Sequence, residues 1–575
     1  VSRASRDEKS RPSNQQCEYL HPIILMYKND KENKNLFPFG NVIHETPFCV
    51  SICPKTYFCL IGMDFHENFT TIDWCVVAGY LLLTTWVGHL LRGKQANIKD
   101  FFLGGRSLPW LAVSGSIIAT EISGVTFIGV PGMVYAAGGD FTYLQWGIGS
   151  IIARIIVGIY FVRVFYEREI YSPYDYMGNR LGIGAKRLAT IIFQIGGILG
   201  QSVRVLVAAL ALKVVTPLEF HECIWIIGIF AVGWTLMGGM RTVIWTDVMQ
   251  FFLFVGAGLL SFLWMIGGIE GGWSGMIDIS EQAGKFTLLN LTSDPAVGFT
   301  LWVAIIAVPF QNLSAFGVDQ LNAQRMFCCK DASDARKAMI TSSAALILTA
   351  LMLMVGAALF AYYEPMRAAG TEPSIFADDS NYIYPAWIVT ELPVGLRGLI
   401  LAGIFAAAIS SLDSILAALS QTTLSLFRNG EGKKDLRYSR MLVLGWGIIL
   451  SAFAVELNDL RGKVNVVNLA FGMISYTTGP MLGMFLAALF TPHARTAGLA
   501  LGFALSFLLV AYIRPDFYQI LINFEIISTK DAAAWNGLAE ENGKLKPILH
   551  SAWAWPVTVF ITWGCGLLFA KKTST

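Results

Sequence analysis

The stretch Ile117-Ile118-Ala119-Thr120-Glu121-Ile122-Ser123-Gly124-Val125-Thr126-Phe127-Ile128-Gly129-Val130-Pro131-Gly132 lies within an apolar run, 108–137, long enough to cross a bilayer. Ser123-Gly124, Gly129 and Pro131-Gly132 interrupt that run. Glycine weakens the helical hydrogen-bond ladder and proline removes a rung from it, so the pattern predicts a spanning helix opened near its middle. The seventh apolar run, 298–316, carries Pro309-Phe310-Gln311-Asn312, with Gly317 just beyond. These two runs stand five apart in order, as expected of two five-helix units of inverted topology. Open backbone at mid-membrane is tolerated only where it lines a cavity. Taken singly, each would be an ordinary Gly/Pro kink; the matched positions place a binding site between them.

Composition agrees with a membrane setting. The 575 residues are 54% hydrophobic and 14% charged, with mean hydropathy +0.55, whereas soluble chains carry about 25% charge. The apolar runs fit a hydrocarbon layer about 30 Å thick, and about thirteen spanning helices are expected. Alternate loops concentrate Arg92, Lys94, Lys99 and Arg106, then Arg168, Arg180, Lys186 and Arg187, then Arg325, Lys330, Arg336 and Lys337, then Lys433, Lys434 and Arg437. Basic loops mark the cytoplasmic face; the expectation is a multi-pass cell-membrane protein with its N-terminus outside and its C-terminus, near Lys571-Lys572, inside. A net charge of +2 with no basic stripe argues against nucleic acid as a partner. Cys49, Cys53 and Cys59 lack a fourth ligand to complete a zinc site, and no disulfide framework is indicated.

Expected boundaries follow from the runs. Residues 1–62 are polar, irregular and followed by Met63-Asp64-Phe65, and are expected to be a poorly structured extension, upstream of a natural start. An extra first helix and cytoplasmic loop would occupy 63–107, the first repeat 108–269, the second repeat 298–490, and C-terminal helices 491–575.

Asp247 and the run Ala407-Ala408-Ile409-Ser410-Ser411-Leu412-Asp413-Ser414 put two carboxylates and three hydroxyls inside apolar segments. Ionisable groups there are costly and usually functional. Carboxylate, hydroxyl and freed carbonyl oxygens are ligands for a small hard cation, and half-helix carbonyl ends are where transporters hold Na+. The expected class is a sodium-coupled transporter.

The order and spacing of Phe101-Phe102-Leu103-Gly104-Gly105-Arg106, Ile117-Ile118-Ala119 running to Ser123, Gly238-Gly239-Met240 with Trp245-Thr246-Asp247, Gln324-Arg325, and Ala407 to Ser411 resemble the sodium:solute symporter family of sodium/glucose, proline and sialic acid transporters. The resemblance covers about residues 72–513. It implies an all-α polytopic, LeuT-type five-plus-five inverted-repeat fold preceded by one extra helix. It also implies a principal sodium site of Ala119 and Ile122 carbonyls, the Ala407 carbonyl and the Ser410 and Ser411 hydroxyls. Some members hold a second cation, which here would use Asp247, Ser410, Ser411, Asp413 and Ser414. Asp413 stands where serine is usual, and it would either strengthen cation binding or carry a proton, since burial raises a carboxyl pKa unless a cation answers it.

For the solute, family positions map to Ser123, Thr126, Gln145 and Asn312, neutral groups suited to hydroxyls or amides. Leu346 replaces a lysine of a bacterial sugar member, and Gly472 or Met473 falls where it has glutamine, so a galactose-type solute is not expected. Sialic acid carriers use an arginine on the third core helix for the substrate carboxylate, about one turn before Arg204. Glu121 and Arg204 are therefore candidates for solute contact, or else they neutralise each other or Arg204 snorkels. Arg154 is expected to be a structural partner to backbone or a carboxylate.

The expected function is Na+-coupled import of a small polar solute, sugar-like or carboxylate-bearing, by alternating access with one or two Na+ ions, by a monomer. Proton coupling is the alternative, although no histidine relay is visible. A non-transporting sensor would need a sizeable cytoplasmic domain. An enzyme would need a catalytic constellation; no Ser/His/Asp set, HExxH or phosphate-cradling glycine motif appears. No catalytic residue and no transition metal are expected.

Overall fold

The computed structural model describes residues 49–53, 56–59, 65–91, 104–168, 170, 172–236, 240–427, 433–458, 466–523, 525–528, 530–532, 539–541, 544–546 and 549–570. The chain divides into two compact units, Val1–Met63 and Asp64–Thr575. In the first, β1 (Cys49–Cys53) pairs antiparallel with β2 (Thr56–Cys59). The rest of the expected extension, Phe101–Leu103, Gly238–Gly239 and Lys571-Lys572 lie outside the described residues.

The second unit is built from helices, apart from a short hairpin of β3 (Ala539–Glu541) and β4 (Lys544–Lys546). The principal helices are α1 (Thr71–Leu91), α2 (Trp110–Glu121), α3 (Val130–Tyr135), α4 (Trp146–Ile156), α5 (Ile183–Val215), α6 (Phe220–Thr235), α7 (Met240–Gly268), α8 (Val308–Gly317), α9 (Gln320–Met326), α10 (Ala345–Tyr362), α11 (Leu396–Phe427), α12 (Lys433–Leu457), α13 (Val466–Phe490), α14 (Thr496–Ile513) and α15 (Ala554–Leu568). Among the described residues, nine helices are long and apolar enough to cross a membrane, and the bent pair α2 and α3 makes ten. Three shorter apolar helices, Phe220–Thr235, Val303–Gly317 and Leu396–Phe405, stand where further spans were expected, so the described helices of full spanning length are fewer than the thirteen expected.

Helix α5 is the spine. Its buried face is dominated by Ala, Gly and Val from Ala185 to Val215, and small residues let backbones approach closely; α6, α11, α12 and α13 all pack against it. Helix α1 is tied to the start of α11. Asp73 accepts from the Gly395 N–H at 2.6 Å and from Arg397 Nε at 2.9 Å.

The first expected interruption is present. The last rung of α2 is Ile122 N–H to Ile118 O. Ile122 then turns extended (φ −75°, ψ 96°), and the axis bends by 56° before a π turn, Val125–Gly129, leads into α3. Gly129 is required by packing, since a Cβ there would stand 2.6 Å from Val466 Cγ2. The second interruption differs from expectation. A π turn at Val303–Ala307 runs directly into α8, so Pro309 stands inside one continuous helix, Val303–Gly317, just past the point where the ladder changes from π to α. The helix runs through Gln311 and Asn312 and ends at Gly317; the chain restarts as α9 after Asp319.

Candidate functional site

A cavity of about 220 Å3 lies against the α2–α3 break. Thr120 to Ser123 and Thr126 line it from the break, Gly147 and Ser150 from α4, Gln201 and Arg204 from α5, and Gln311, Asn312 and Asp319 from α8 and its end. Tyr143, Trp146 and Phe471 cover one side. Phe299 and Trp555 pack on Trp146 behind them, with ring centroids 5.0 and 5.5 Å away.

Of the expected solute residues, Glu121, Ser123, Thr126, Arg204 and Asn312 line this cavity, and Gln145 does not. The Gln145 amide is spent on backbone. Its Nε2 donates to Thr142 O and Phe299 O, both at 3.2 Å, and its Oε1 accepts from Asn290 N–H at 3.3 Å. It therefore pins the 290–299 loop. Leu346 lines the cavity as its position suggested, whereas Gly472 faces the Arg514 guanidinium and leaves the wall to Phe471.

The Glu121 carboxylate pairs with Arg154 and not with Arg204. Arg154, fully buried, also donates to Ser150 Oγ at 2.7 Å and lies over the Phe316 ring at 4.1 Å. Ser150 donates to Asn312 Oδ1 at 3.0 Å, and Asn312 Nδ2 donates to Gln311 Oε1 at 2.7 Å. This chain of bonds fixes the polar wall, since each group's remaining donors and acceptors are set by its neighbour. Arg204 stands apart, with Nη1 donating to Thr120 O at 3.2 Å.

Beneath the break a second polar cluster centres on Arg325. Counted in the sequence as a loop charge, Arg325 is 1% exposed, because α9 folds back into the bundle. Its Nη2 reaches Asp247 Oδ2 at 3.1 Å and Ser414 Oγ at 3.0 Å, Nε reaches Ser116 Oγ at 3.0 Å, and Nη1 reaches Leu321 O at 2.8 Å. Ser116 also donates to Asp247 Oδ2 at 2.5 Å, and Ser414 donates to Asp413 Oδ1 at 3.0 Å. One guanidinium thus joins α2, α7, α9 and α11. Asp247, expected to face a cation, faces one covalently part of the chain. Asp413, buried at 6% exposure, places a second carboxyl group beside the Arg325 clamp.

Two of the expected principal sodium ligands, Ala119 and Ser411, sit one helical turn from this clamp. Ala119 follows Ser116 by three residues on α2 and Ser411 precedes Ser414 by three on α11, a spacing that keeps each pair on one face. Connectivity runs these helices in opposite directions, so both steps lead the same way. The carbonyls of Ala119 to Ile122 follow the last rung of α2, where a helix end leaves oxygens without intrahelical donors. Ser411 Oγ is fully buried and has no hydrogen-bond partner among the described residues. Buried polar atoms are normally satisfied, so this hydroxyl fits a cation ligand. The side chains of Ala407 and Ser410 lie outside the described residues.

Sequence reasoning gave no site role to Ser116, Ser150, Gln311 or Asp319, and it read Arg325 as a loop charge and part of a family motif. The i, i+4 spacing of Ser150 and Arg154 was a usable signal. Nothing local marked Arg325, since burial there depends on the turn after Gly317.

A helical membrane protein with a polar cavity beside a broken helix and an oxygen-rich pocket below it is, as a class, an ion-coupled carrier. Known proteins narrow the class. The sodium:solute symporter family model matches residues 101–505. The sodium/sialic acid symporter SiaT of Proteus mirabilis is 28% identical over 462 residues, covering 79% of this chain and 91% of that protein. The human sodium/iodide cotransporter is 28% identical over 459 residues, covering 77% and 70%. Human sodium-coupled monocarboxylate transporter 1 is 27% identical over 453 residues, covering 76% and 73%. A solved Na+-coupled sialic acid symporter in a substrate-bound outward-open state superposes with a TM-score of 0.70 at 25% identity, covering 88% of this chain and all of that one. The chain belongs to the sodium:solute symporter family. Its fold is the LeuT-type inverted repeat, it is a multi-pass Na+-coupled symporter, and Na+ is the coupling ion; the relatives do not favour proton coupling. The family and these relatives are transporters.

Proposed function

We propose that the chain imports a small carboxylate-bearing solute with Na+, and that Arg204 is the anchor for the solute carboxylate. The observation that carries this reading is the division of charges at the cavity: Glu121 is already neutralised by Arg154, while Arg204 donates to Thr120 O and lines the cavity without a carboxylate partner among the described residues. An arginine fork matches a carboxylate with two parallel hydrogen bonds. Sialic acid, monocarboxylates and iodide, the solutes in the relatives' names, are all anions, which supports the same choice. Ser123, Thr126 and Asn312 would select among anions by their hydroxyl or amide pattern, because a site built for hydrogen bonds rejects a ligand that leaves them unmade.

In this reading Na+ sits on the Ala119, Ile122 and Ala407 carbonyls with Ser410 and Ser411. A second cation is held by Asp413 with Ser410, Ser411, Ser414 and Asp247. The basic loops face the cytoplasm, the N-terminus is outside, and a single chain forms the whole pathway from repeats at 108–269 and 298–490, flanked by 63–107 and 491–575. Uptake into proteoliposomes tests the assignment with sialic acid, lactate and iodide against galactose as a neutral control. Arg204→Gln should lose anion uptake by more than about tenfold, the scale of a truncated charge pair. Full anion uptake by that variant, or uptake of galactose alone, overturns the reading.

A further inference from the structure

An arginine that receives an anion inside a bilayer must also let it go. Removing one partner of a buried charge pair leaves the other uncompensated, which is strongly unfavourable. Release therefore needs a replacement anion within reach of Arg204. Among the described carboxylates of the core, Glu121 is taken by Arg154, while Asp247 and Asp413 belong to the Arg325 cluster.

Asp319 differs from all three. It lines the central cavity together with Arg204, and it also lines a second chamber of about 80 Å3 bounded by Tyr174, Gly197, Ser314 and Thr478. It therefore stands at the boundary between the two. Its Oδ1 caps α9 by accepting from Leu321 N–H at 2.8 Å, and Oδ2 has no hydrogen-bond partner among the described residues. Arg204 and Arg325 are the cations whose charge acts on it, and the Arg325 donors are already distributed over Ser116, Leu321, Asp247 and Ser414. The chamber lies beside the helix Pro173–Leu181, which stands within one of the basic loops, so it extends the cavity towards the side assigned to the cytoplasm.

We infer that Asp319 is a positioning residue that takes over the Arg204 guanidinium as the solute carboxylate departs inward, and that the Arg204–Asp319 pair holds charge balance while the empty carrier returns. The inference rests on Arg204 being the solute's anchor. It separates two kinds of flux. Net uptake requires the empty carrier to return, whereas exchange of internal for external solute does not.

Asp319→Asn keeps the capping oxygen of α9 and removes the charge. Sialic acid and lactate should then bind several-fold more tightly, net uptake should fall by about tenfold, exchange, which needs release but no empty return, should fall distinctly less, and half-saturation by Na+ should not move. Asp319→Glu should restore the net-to-exchange ratio, and Asp319→Asn should add nothing to Arg204→Gln. A wild-type ratio in Asp319→Asn, or the same loss in the Glu variant as in the Asn variant, overturns the inference and leaves the anchor standing if Arg204→Gln still abolishes anion uptake. Retained anion uptake in Arg204→Gln overturns the anchor itself.

Discussion

At the residue scale, stability and function are separable. Ser411 Oγ, buried without a partner, carries the cost of an unsatisfied hydroxyl, about 1–3 kcal/mol. Ser411→Ala should therefore leave thermal stability in Na+-free detergent unchanged or raised, while half-saturating Na+ for uptake rises by about tenfold, equivalent to 1.4 kcal/mol. Loss of stability together with unchanged Na+ dependence would mean the hydroxyl serves packing. Arg154 is the opposite case. Arg154→Met strands the Glu121 charge and should cost about 3–5 kcal/mol of stability, with Glu121→Gln in the same chain recovering most of it; a thermal unfolding cycle over the two single variants and the double variant measures this. Individual residues were partly legible in the sequence. Glu121, Arg154 and Arg204 announced themselves as charges in apolar runs, but pairing Glu121 with Arg154 required knowing that α2 and α4 face each other across the cavity. Arg325 was misread because a charge just past an apolar run looks like a loop charge until the chain is seen to turn inward.

Breaks in elements were easier to read than their supports. Ser123-Gly124 marked the α2–α3 break directly, since those residues disfavour the ladder themselves. The π turn at Val303–Ala307 has no such mark, because its sequence is ordinary apolar helix. Nor did the sequence single out Lys285, which follows a polar helix and ends up 2% exposed. Its Nζ donates to Val134 O at 2.7 Å and Ala136 O at 2.8 Å, capping the second half of the broken helix, and sits 4.2 Å from the centroid of the Phe360 ring. A cation at a helix C-terminus is favourable, so this lysine anchors the C-terminal end of α3. Burial, aided by Arg367 and opposed by Asp140, pushes its pKa from 10.5 down to about 8. The charged clamp exists below about 8 and is lost above it. In the unfolded chain the lysine still binds its proton up to 10.5, so between these values global stability rises with pH even as the clamp weakens. Uptake should accordingly decline as outside pH rises through 8 without any fall in melting temperature. Lys285→Met should already be slow at pH 7 and flat with pH; a wild-type pH profile in that variant would remove the lysine as the cause.

For the whole molecule, charge counting yields a prediction for the stoichiometry. Arg154 cancels Glu121, Arg325 cancels Asp247, and Arg204 and Asp319 share the cavity, which leaves Asp413 as the uncancelled carboxylate in the described core. One Na+ would neutralise it, and the other would travel with the solute anion on the principal site. Two Na+ with one carboxylate move one net positive charge per cycle, worth about 2.3 kcal/mol per 100 mV, whereas one Na+ with one carboxylate moves none. Asp413→Asn should therefore convert lactate uptake from electrogenic to electroneutral. The inward current at negative potential should vanish, the dependence on Na+ should change from sigmoidal to hyperbolic, and uptake at zero potential should persist at a reduced rate. Current and radiolabelled uptake measured on the same proteoliposomes decide the matter: an unaltered charge-to-solute ratio in Asp413→Asn would mean that this carboxylate balances Arg325 structurally and holds no transported ion.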